Sequence, residues 1–167
     1  MTSIGDDAFS GCSKLIEVCN LSKLHITAGS SSYGKVGYNA EHIITDSKDS
    51  YLTTTEEGCI FYEDESDSYL MGYVGANTTL LLPEESPIGR NYKIYRHAFY
   101  SCRKVTSITI PDGVTSIGED AFYKCTGLTS INYTGTIAQW NEISKSSDWN
   151  DDTGAYTIHC ADGDISK

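Results

Sequence analysis

The sequence predicts an α/β repeat solenoid, a right-handed stack of short parallel strands joined by short helical or 3-10 segments. Three observations predict it. The dozen residues "IGEDAFYKCTGL" at 117–128 also occur as "IYRHAFYSCRKV" at 94–105, 23 positions earlier, and as "IGDDAFSGCSKL" at 4–15. Next, "VTSITIP" at 105–111 alternates β-branched and small polar residues, the period of a half-buried strand. Finally, "EDAFYKC" is only about two helical turns long, too short to hold its own shape, so neighbouring units must pack against it. A repeat of this period marks stacked units, each too small to bury its own apolar side.

Aligned, the copies read I-x-x-x-A-F-x-x-C-x-x-[LV]-x-x-[IV]. Ile4, Ala8, Phe9, Cys12, Leu15 and Val18 fill the slots first; Ile94, Ala98, Phe99, Cys102, Val105 and Ile108 fill them again. The last copy uses Ile117, Ala121, Phe122, Cys125, Leu128 and Ile131. In the strand, Ile108 and Ile110 are expected inward, with Ser107, Thr109 and their counterparts Ser130 and Asn132 outward. Pro111 ends the strand and "PDGV" makes a turn. Each rung is thus expected to be one strand, one turn and one short helix.

Between the copies the register loosens. "GYNAEHIIT" at 37–45 reads as a worn rung, with Ala40 in the Ala slot and Ile43 and Ile44 inward. "GCIFYEDESDSYLMGYVGANTTLLLP" at 58–83 reads as an antiparallel β-meander of strands near 59–62, 69–74 and 79–82. In "TIAQW", Thr136 stands three residues before Gln139, a capping-box spacing, and Ile137, Trp140 and Ile143 share one helical face. That helix and the strand "AYTIHC" are expected to form a C-terminal cap. The expected layout is one domain, 1–167: N-terminal rungs 2–45, a degenerate rung and meander insert 46–91, regular rungs 92–133 and the cap 134–167. "TSIG" at 2–5 recurs at 115–118 inside a repeat, so the chain is expected to be a fragment of a longer one.

Composition narrows the partners. With 23 acidic against 12 basic residues the net charge is −11, which repels phosphate backbones and anionic lipid. Nucleic acid is not an expected partner. No run approaches the roughly 18 apolar residues that cross a bilayer, so no membrane insertion is expected, and the chain is expected to be monomeric. Cys12, Cys102 and Cys125 share one slot and are expected to be reduced, buried small hydrophobes. Cys19, Cys59 and Cys160 lie outside it, and spacing assigns them no pairing.

The A-F-x-x-C core and the I-x-I-P strand end, over residues 2–18 and 92–136, resemble the leucine-rich repeats of the BspA-like type, found in bacterial surface proteins. The resemblance implies a leucine-rich-repeat-like curved solenoid with a parallel strand ladder on one face. It also implies a secreted or cell-surface location and an adhesive, protein-binding or host-component-binding role. The family supplies no catalytic residues and no cofactor.

Motifs for chemistry are present only in part. "GSSSYGKV" at 29–36 fits a phosphate loop up to Val36, where the magnesium-holding hydroxyl is required. Asp148, Asn150 and Asp152 follow a calcium-loop order, but Thr153 and His159 stand at its Gly and Glu positions. His25, His42, His97 and His159 have no zinc spacing. With no nucleophile elbow and no carboxylate pair singled out, the chain is not expected to be an enzyme, and a hydrolase stays as an alternative. Twelve Tyr suit recognition, because Tyr joins apolar area to a polar tip. Tyr62, Tyr69 and Tyr73 on the expected meander, with Tyr100 and Tyr123, are candidates for exposure, and structural packing is the alternative for most of them. The candidate binding residues are therefore Ser107, Thr109, Ser130, Asn132, Tyr62, Tyr69 and Tyr73, for a protein or glycan ligand. A passive spacer is the other non-catalytic reading.

Overall fold

A computed structural model describes residues 1–166. The chain divides into two compact units, Met1–Leu52 and Thr53–Lys167. In the first, β1 (Glu17–Cys19) pairs in parallel with β2 (His42–Ile44), Val18 opposite Ile43. The Phe9 N–H donates to the Gly34 carbonyl at 2.8 Å within the same pair of rungs.

That bond changes the expected register. Ala40 N donates to Gly37 O at 3.1 Å, as Leu128 N does to Cys125 O at 3.0 Å and Leu15 N to Cys12 O at 3.0 Å. Ala40 therefore stands in the Leu slot and Gly37 in the Cys slot, not Ala40 in the Ala slot. Gly34 fills the position facing Phe9, where a Cβ would meet the Gly5 carbonyl at 2.3 Å. The Gly/Ser loop is thus part of a rung. Ser32–Lys35, labelled α1, is a single turn with left-handed backbone at Tyr33 and Gly34, and Lys35 pairs with Asp7 at 2.8 Å.

The second unit carries two sheets. One has the order β13-β12-β10-β8-β6, from β6 (Thr79–Leu81), β8 (Ser107–Ile110), β10 (Ser130–Tyr133), β12 (Thr157–Cys160) and β13 (Gly163–Ser166). The other has the order β11-β9-β7-β5-β4-β3, from β3 (Leu52–Thr54), β4 (Cys59–Glu63), β5 (Ser68–Tyr73), β7 (Tyr92–Ile94), β9 (Val114–Ile117) and β11 (Ser144–Lys145). Each regular rung contributes one strand to each sheet, a β-solenoid with two strands per turn where one was expected. The second strand escapes an alternation test for a local reason. β9 buries Val114 and Ile117, three residues apart, and the register shifts between Tyr92 and Lys93 on its neighbour.

The expected three-stranded meander is a two-stranded hairpin. β4 and β5 pair antiparallel, but β6 crosses to the other sheet and runs parallel to β8, with Leu80 opposite Ile108. "TLL" is a rung strand because its middle Leu matches the inward slot.

Inward side chains align rung on rung. Leu80, Ile108, Ile131, Ile158 and Ile165 form one row; Phe61, Leu70, Ile94 and Ile117 form the other. Phe99 stacks on Phe122 with centroids 5.1 Å apart, and Phe122 meets Trp149 edge-on at 5.7 Å. The second row ends at Lys145. Its ammonium donates to the carbonyls of Trp140 and Ile143 and lies 4.8 Å from the Trp140 ring centroid, with burial lowering its pKa.

The A-F-x-x-C segments are turns rather than helices. His97, Ser101, Asp120 and Lys124 all have positive φ, between 51° and 58°. Left-handed residues cannot propagate a right-handed helix. The backbone donors instead reach the next rung: His97 N to Glu119 O at 2.9 Å, Phe99 N to Ala121 O at 2.8 Å, Ser101 N to Tyr123 O at 2.7 Å. The next rung continues the ladder with Phe122 N to Trp149 O at 2.8 Å and Lys124 N to Asp151 O at 3.1 Å.

Near the C-terminal end, α2 (Ile137–Glu142) carries the capping box at Thr136 and Gln139. Trp140 and Ile143 are buried, and Asp162 accepts the Ile137 N–H at 2.7 Å. β13 turns back antiparallel on β12, so the parallel ladder ends in a hairpin.

All six cysteines are free. Cys125 is buried and its thiol donates to the Phe99 carbonyl at 3.0 Å. Its slot-mate Cys102 is half-buried and Cys12 is exposed, so the expected burial of all three holds only where rungs flank the slot on both sides.

Phe122→Ala is expected to cost about 3–5 kcal/mol in urea unfolding, since a buried ring is lost and a cavity remains. Ser101→Val should destabilise by about 1–2 kcal/mol through its left-handed backbone, while Ser101→Gly should not. Burial pushes the Cys59 thiol up to about 11 and the Cys125 thiol to about 12, from an ordinary value of 9.0. Their contribution to stability is complete below the unfolded value; above it the unfolded chain loses these protons first, and stability falls toward the folded values. Wild type should therefore lose more stability between about pH 8 and about pH 10.5 than a Cys59→Ala/Cys125→Ala variant. Iodoacetamide on the native protein should label Cys12 and Cys19 and spare Cys59 and Cys125.

Candidate binding faces

Strand alternation decides which side chains leave the core. In the five-stranded sheet the residues between inward positions form two outward rows. Thr79, Ser107, Ser130 and Thr157 make the first; Leu81, Thr109, Asn132 and His159 make the second. With parallel strands about 4.8 Å apart, each row runs about 14 Å across four strands. Four expected residues, Ser107, Thr109, Ser130 and Asn132, are thus brought together at its centre, all half-exposed.

The sheet adds residues that the sequence reading missed. Thr157 and His159 extend the rows on β12, and Leu81, 72% exposed, ends one on β6. Their signal was present: "TIHC" repeats the pattern of "SITI" and "SINY", but spacings of 27 and 28 residues around irregular connections hid it. Polar contacts within the rows are local. The Asn132 amide donates to Ser107 Oγ at 3.1 Å, and Ser130 Oγ donates to the Asn132 carbonyl oxygen at 3.4 Å. His159 Nδ1 lies 2.9 Å from Asp164, both on the exposed β12–β13 hairpin.

The tyrosines sit elsewhere. On the six-stranded sheet, Tyr62, Tyr69, Lys93, Ser116 and Ser144 are aligned by register. Of the candidates for exposure, Tyr62 takes the packed alternative: at 2% it is buried, its ring 6.2 Å from Tyr69 and its hydroxyl donating to Asp64 at 3.3 Å. Tyr69 is half-buried, meets Tyr95 edge-on at 5.5 Å and donates to Asp67 at 3.2 Å. Lys93 binds the same carboxylate at 2.6 Å. Burial raises the Tyr69 phenol above its ordinary range. This cluster is internally satisfied and locks the hairpin, whose acidic tip is further held by Arg90 donating to the Asp64 and Glu65 carbonyls at 3.2 and 3.3 Å.

Tyr73 belongs to neither row. Its hydroxyl accepts from Asn77 N at 3.1 Å and pins the β5–β6 connection. Tyr100 and Tyr123 stack at 5.0 Å on the turn ladder, with the Lys124 ammonium 4.8 Å from the Tyr123 ring.

The other sequence leads resolve into local structure. Asp148 accepts from Ser146, the Asn150 amide donates to the Tyr156 hydroxyl, and Trp149 is buried between them. Among the described residues no group of three or more His, Cys, Asp or Glu side chains is placed to hold a metal ion. No described helix is long and apolar enough to cross a membrane.

Comparison with known proteins then bears on the whole chain. The family model described as "BspA type Leucine rich repeat region" matches in six copies, over residues 1–63 and 92–146. A search of curated proteins finds no match. Among solved structures, a leucine rich cell surface protein from Faecalibacterium prausnitzii is 30% identical, with a TM-score of 0.43, over 49% of this chain; the chain spans 23% of that protein's length. A leucine-rich repeat protein from Bacteroides capillosus is 19% identical, with a TM-score of 0.46, over 66% of this chain and 98% of its own.

Proposed function

The chain belongs to the BspA-type leucine-rich repeat family, and we propose that it is a non-catalytic binding or adhesion module of a secreted or cell-surface repeat protein. A surface location agrees with that of the Faecalibacterium prausnitzii protein, a leucine rich cell surface protein. The ligand is a protein or glycan, met by the outward rows of the five-stranded sheet. One observation supports this above the rest: Thr109, Asn132 and His159 stand beside Ser107, Ser130 and Thr157 in two unbroken rows on one face of the sheet. A rigid ladder holds donors and acceptors at fixed spacing, so binding orders little further.

A spacer role is the second reading, and the bonds from Asn132 to Ser107 and from Ser130 to Asn132 favour it. They satisfy the face internally.

The two readings separate in a binding screen against matrix proteins, mucins and whole cells. Adhesion predicts a captured ligand whose binding falls by about tenfold or more in a Thr109→Arg/Asn132→Arg variant, because bulky charge is placed on the face. That variant should still unfold cooperatively, since both side chains point away from the core, with a small drop in melting temperature from the lost Asn132 bonds to Ser107 and Ser130. No capture by wild type would leave the spacer.

A further inference from the structure

A second surface goes beyond the sheet face. Tyr73, Gly75, Ala76 and Asn77 face residues 101–105 across an open cleft of about 430 Å³, within the usual range for small-ligand sites of about 300–1,000 Å³. Its walls are fixed. Asn77 N is held by the Tyr73 hydroxyl at 3.1 Å, and Thr106 N donates to the Thr78 carbonyl at 2.7 Å. Gly75 keeps one wall low, because a Cβ there would meet the Tyr73 hydroxyl at 2.0 Å. On the other wall, the Arg103 carbonyl lies 2.2 Å from where a Cβ on residue 127 would stand, so Gly127 and this carbonyl lock together.

Charge makes the cleft unusual. The chain has 23 acidic residues against 12 basic ones, and most cations of this unit are already engaged. Arg90 binds hairpin carbonyls, Lys93 binds Asp67, Lys145 binds carbonyls beside Trp140, and Lys124 lies against Tyr123. Arg103 and Lys104 line the cleft, are exposed, and make no side-chain hydrogen bond or ion pair with any described residue. The repeat does not require cations there: the same two slots hold Ser13 and Lys14 in one copy and Thr126 and Gly127 in another. Two adjacent, unpaired like charges repel each other, and a chain rich in carboxylates has left them so.

We propose that this cleft binds an acidic saccharide, a sugar bearing a carboxylate. The Arg103 guanidinium presents the planar fork that grips a carboxylate through two hydrogen bonds, with Lys104 as a second positive charge. The Tyr73 ring offers apolar area, and the Asn77 amide and Ser101 hydroxyl offer partners for sugar hydroxyls. A short, open cleft of hydroxyl, amide and aromatic groups beside two cations suits one sugar ring better than an extended peptide.

The test is titration of the intact chain, followed by saturation-transfer NMR, with glucuronate, N-acetylneuraminate, neutral glucose, acetate and an oligo-glutamate peptide. The expected result is that an acidic sugar binds about tenfold or more tightly than glucose or acetate, weakening as salt rises. Arg103→Gln/Lys104→Gln should abolish that preference with an unchanged melting temperature, and Arg103→Lys should weaken it by losing the fork while keeping the charge. The idea is overturned if acidic and neutral sugars bind alike, if oligo-glutamate binds more tightly than either acid sugar, or if the double variant binds as wild type does. Thr109→Arg/Asn132→Arg, on the sheet face, should leave this preference intact, so failure of one site does not mimic failure of the other.

Discussion

Everything in the second unit depends on one constraint: no rung can bury its own apolar side. Ile108 is fully buried because Leu80 and Ile131 flank it in register. Phe122 is buried because Phe99 lies on one side and Trp149 meets it on the other. Strand pairing sets the spacing and side chains fill it, so backbone and core are satisfied by the same translation from rung to rung. The 23-residue repeat is the sequence record of that translation, visible again in the Thr129 to Thr106 bond and the Phe99 to Phe122 stack. Where the translation is interrupted, burial weakens, as the graded exposure of Cys125, Cys102 and Cys12 shows.

The turn ladder obeys the same rule by a different route. A short helix would satisfy its backbone within one rung and leave the next rung unpaired. Left-handed residues at His97 and Ser101, and again at Asp120 and Lys124, break the helix and aim alternate N–H groups at the following rung. Asp7 and Asp120 take this backbone, which Asp tolerates better than most side chains. Gly11, with φ of 77°, takes the same slot as Ser101 and Lys124. The turns thereby become a third hydrogen-bonded face beside the two sheets.

Much of this was legible in the sequence. The A-F-x-x-C slots, inward Ile108 and Ile110, outward Ser107 and Thr109, and the Thr136 capping box all follow from period and spacing. What escaped had local causes. β9 spaces its buried residues by three, so it did not alternate. β6 looked like a third hairpin strand because its neighbours in sequence are hairpin strands, although Leu80 fits the inward slot. Ala40 took the Leu slot because the rung before it is closed by Gly34 and Gly37, which leave no side chain to align. Tyr62 was a candidate for exposure because Tyr suits recognition; the packing of Tyr69 and the bond to Asp64 help to bury it. Arg103 carried a signal, a cation in a slot that the other copies fill with Ser13 and Thr126, but its meaning needed the facing wall around Tyr73 and Asn77.

The division between these groups explains how such a fold can carry function at all. Inward slots are held by packing, and a change at Phe122 or Ile131 disturbs two neighbours at once. Outward slots of the five-stranded sheet and the slot after the repeat Cys lie outside the core, so copies differ there at little cost to the stack: Ser107 matches Ser130, but Thr109 becomes Asn132 and then His159, and Arg103 becomes Thr126. Recognition in a repeat protein is therefore written in departures from the repeat at positions the repeat leaves free. The outer rows depart gradually from strand to strand, as an extended contact surface requires. Arg103 departs in one copy beside one loop, as a localised pocket requires.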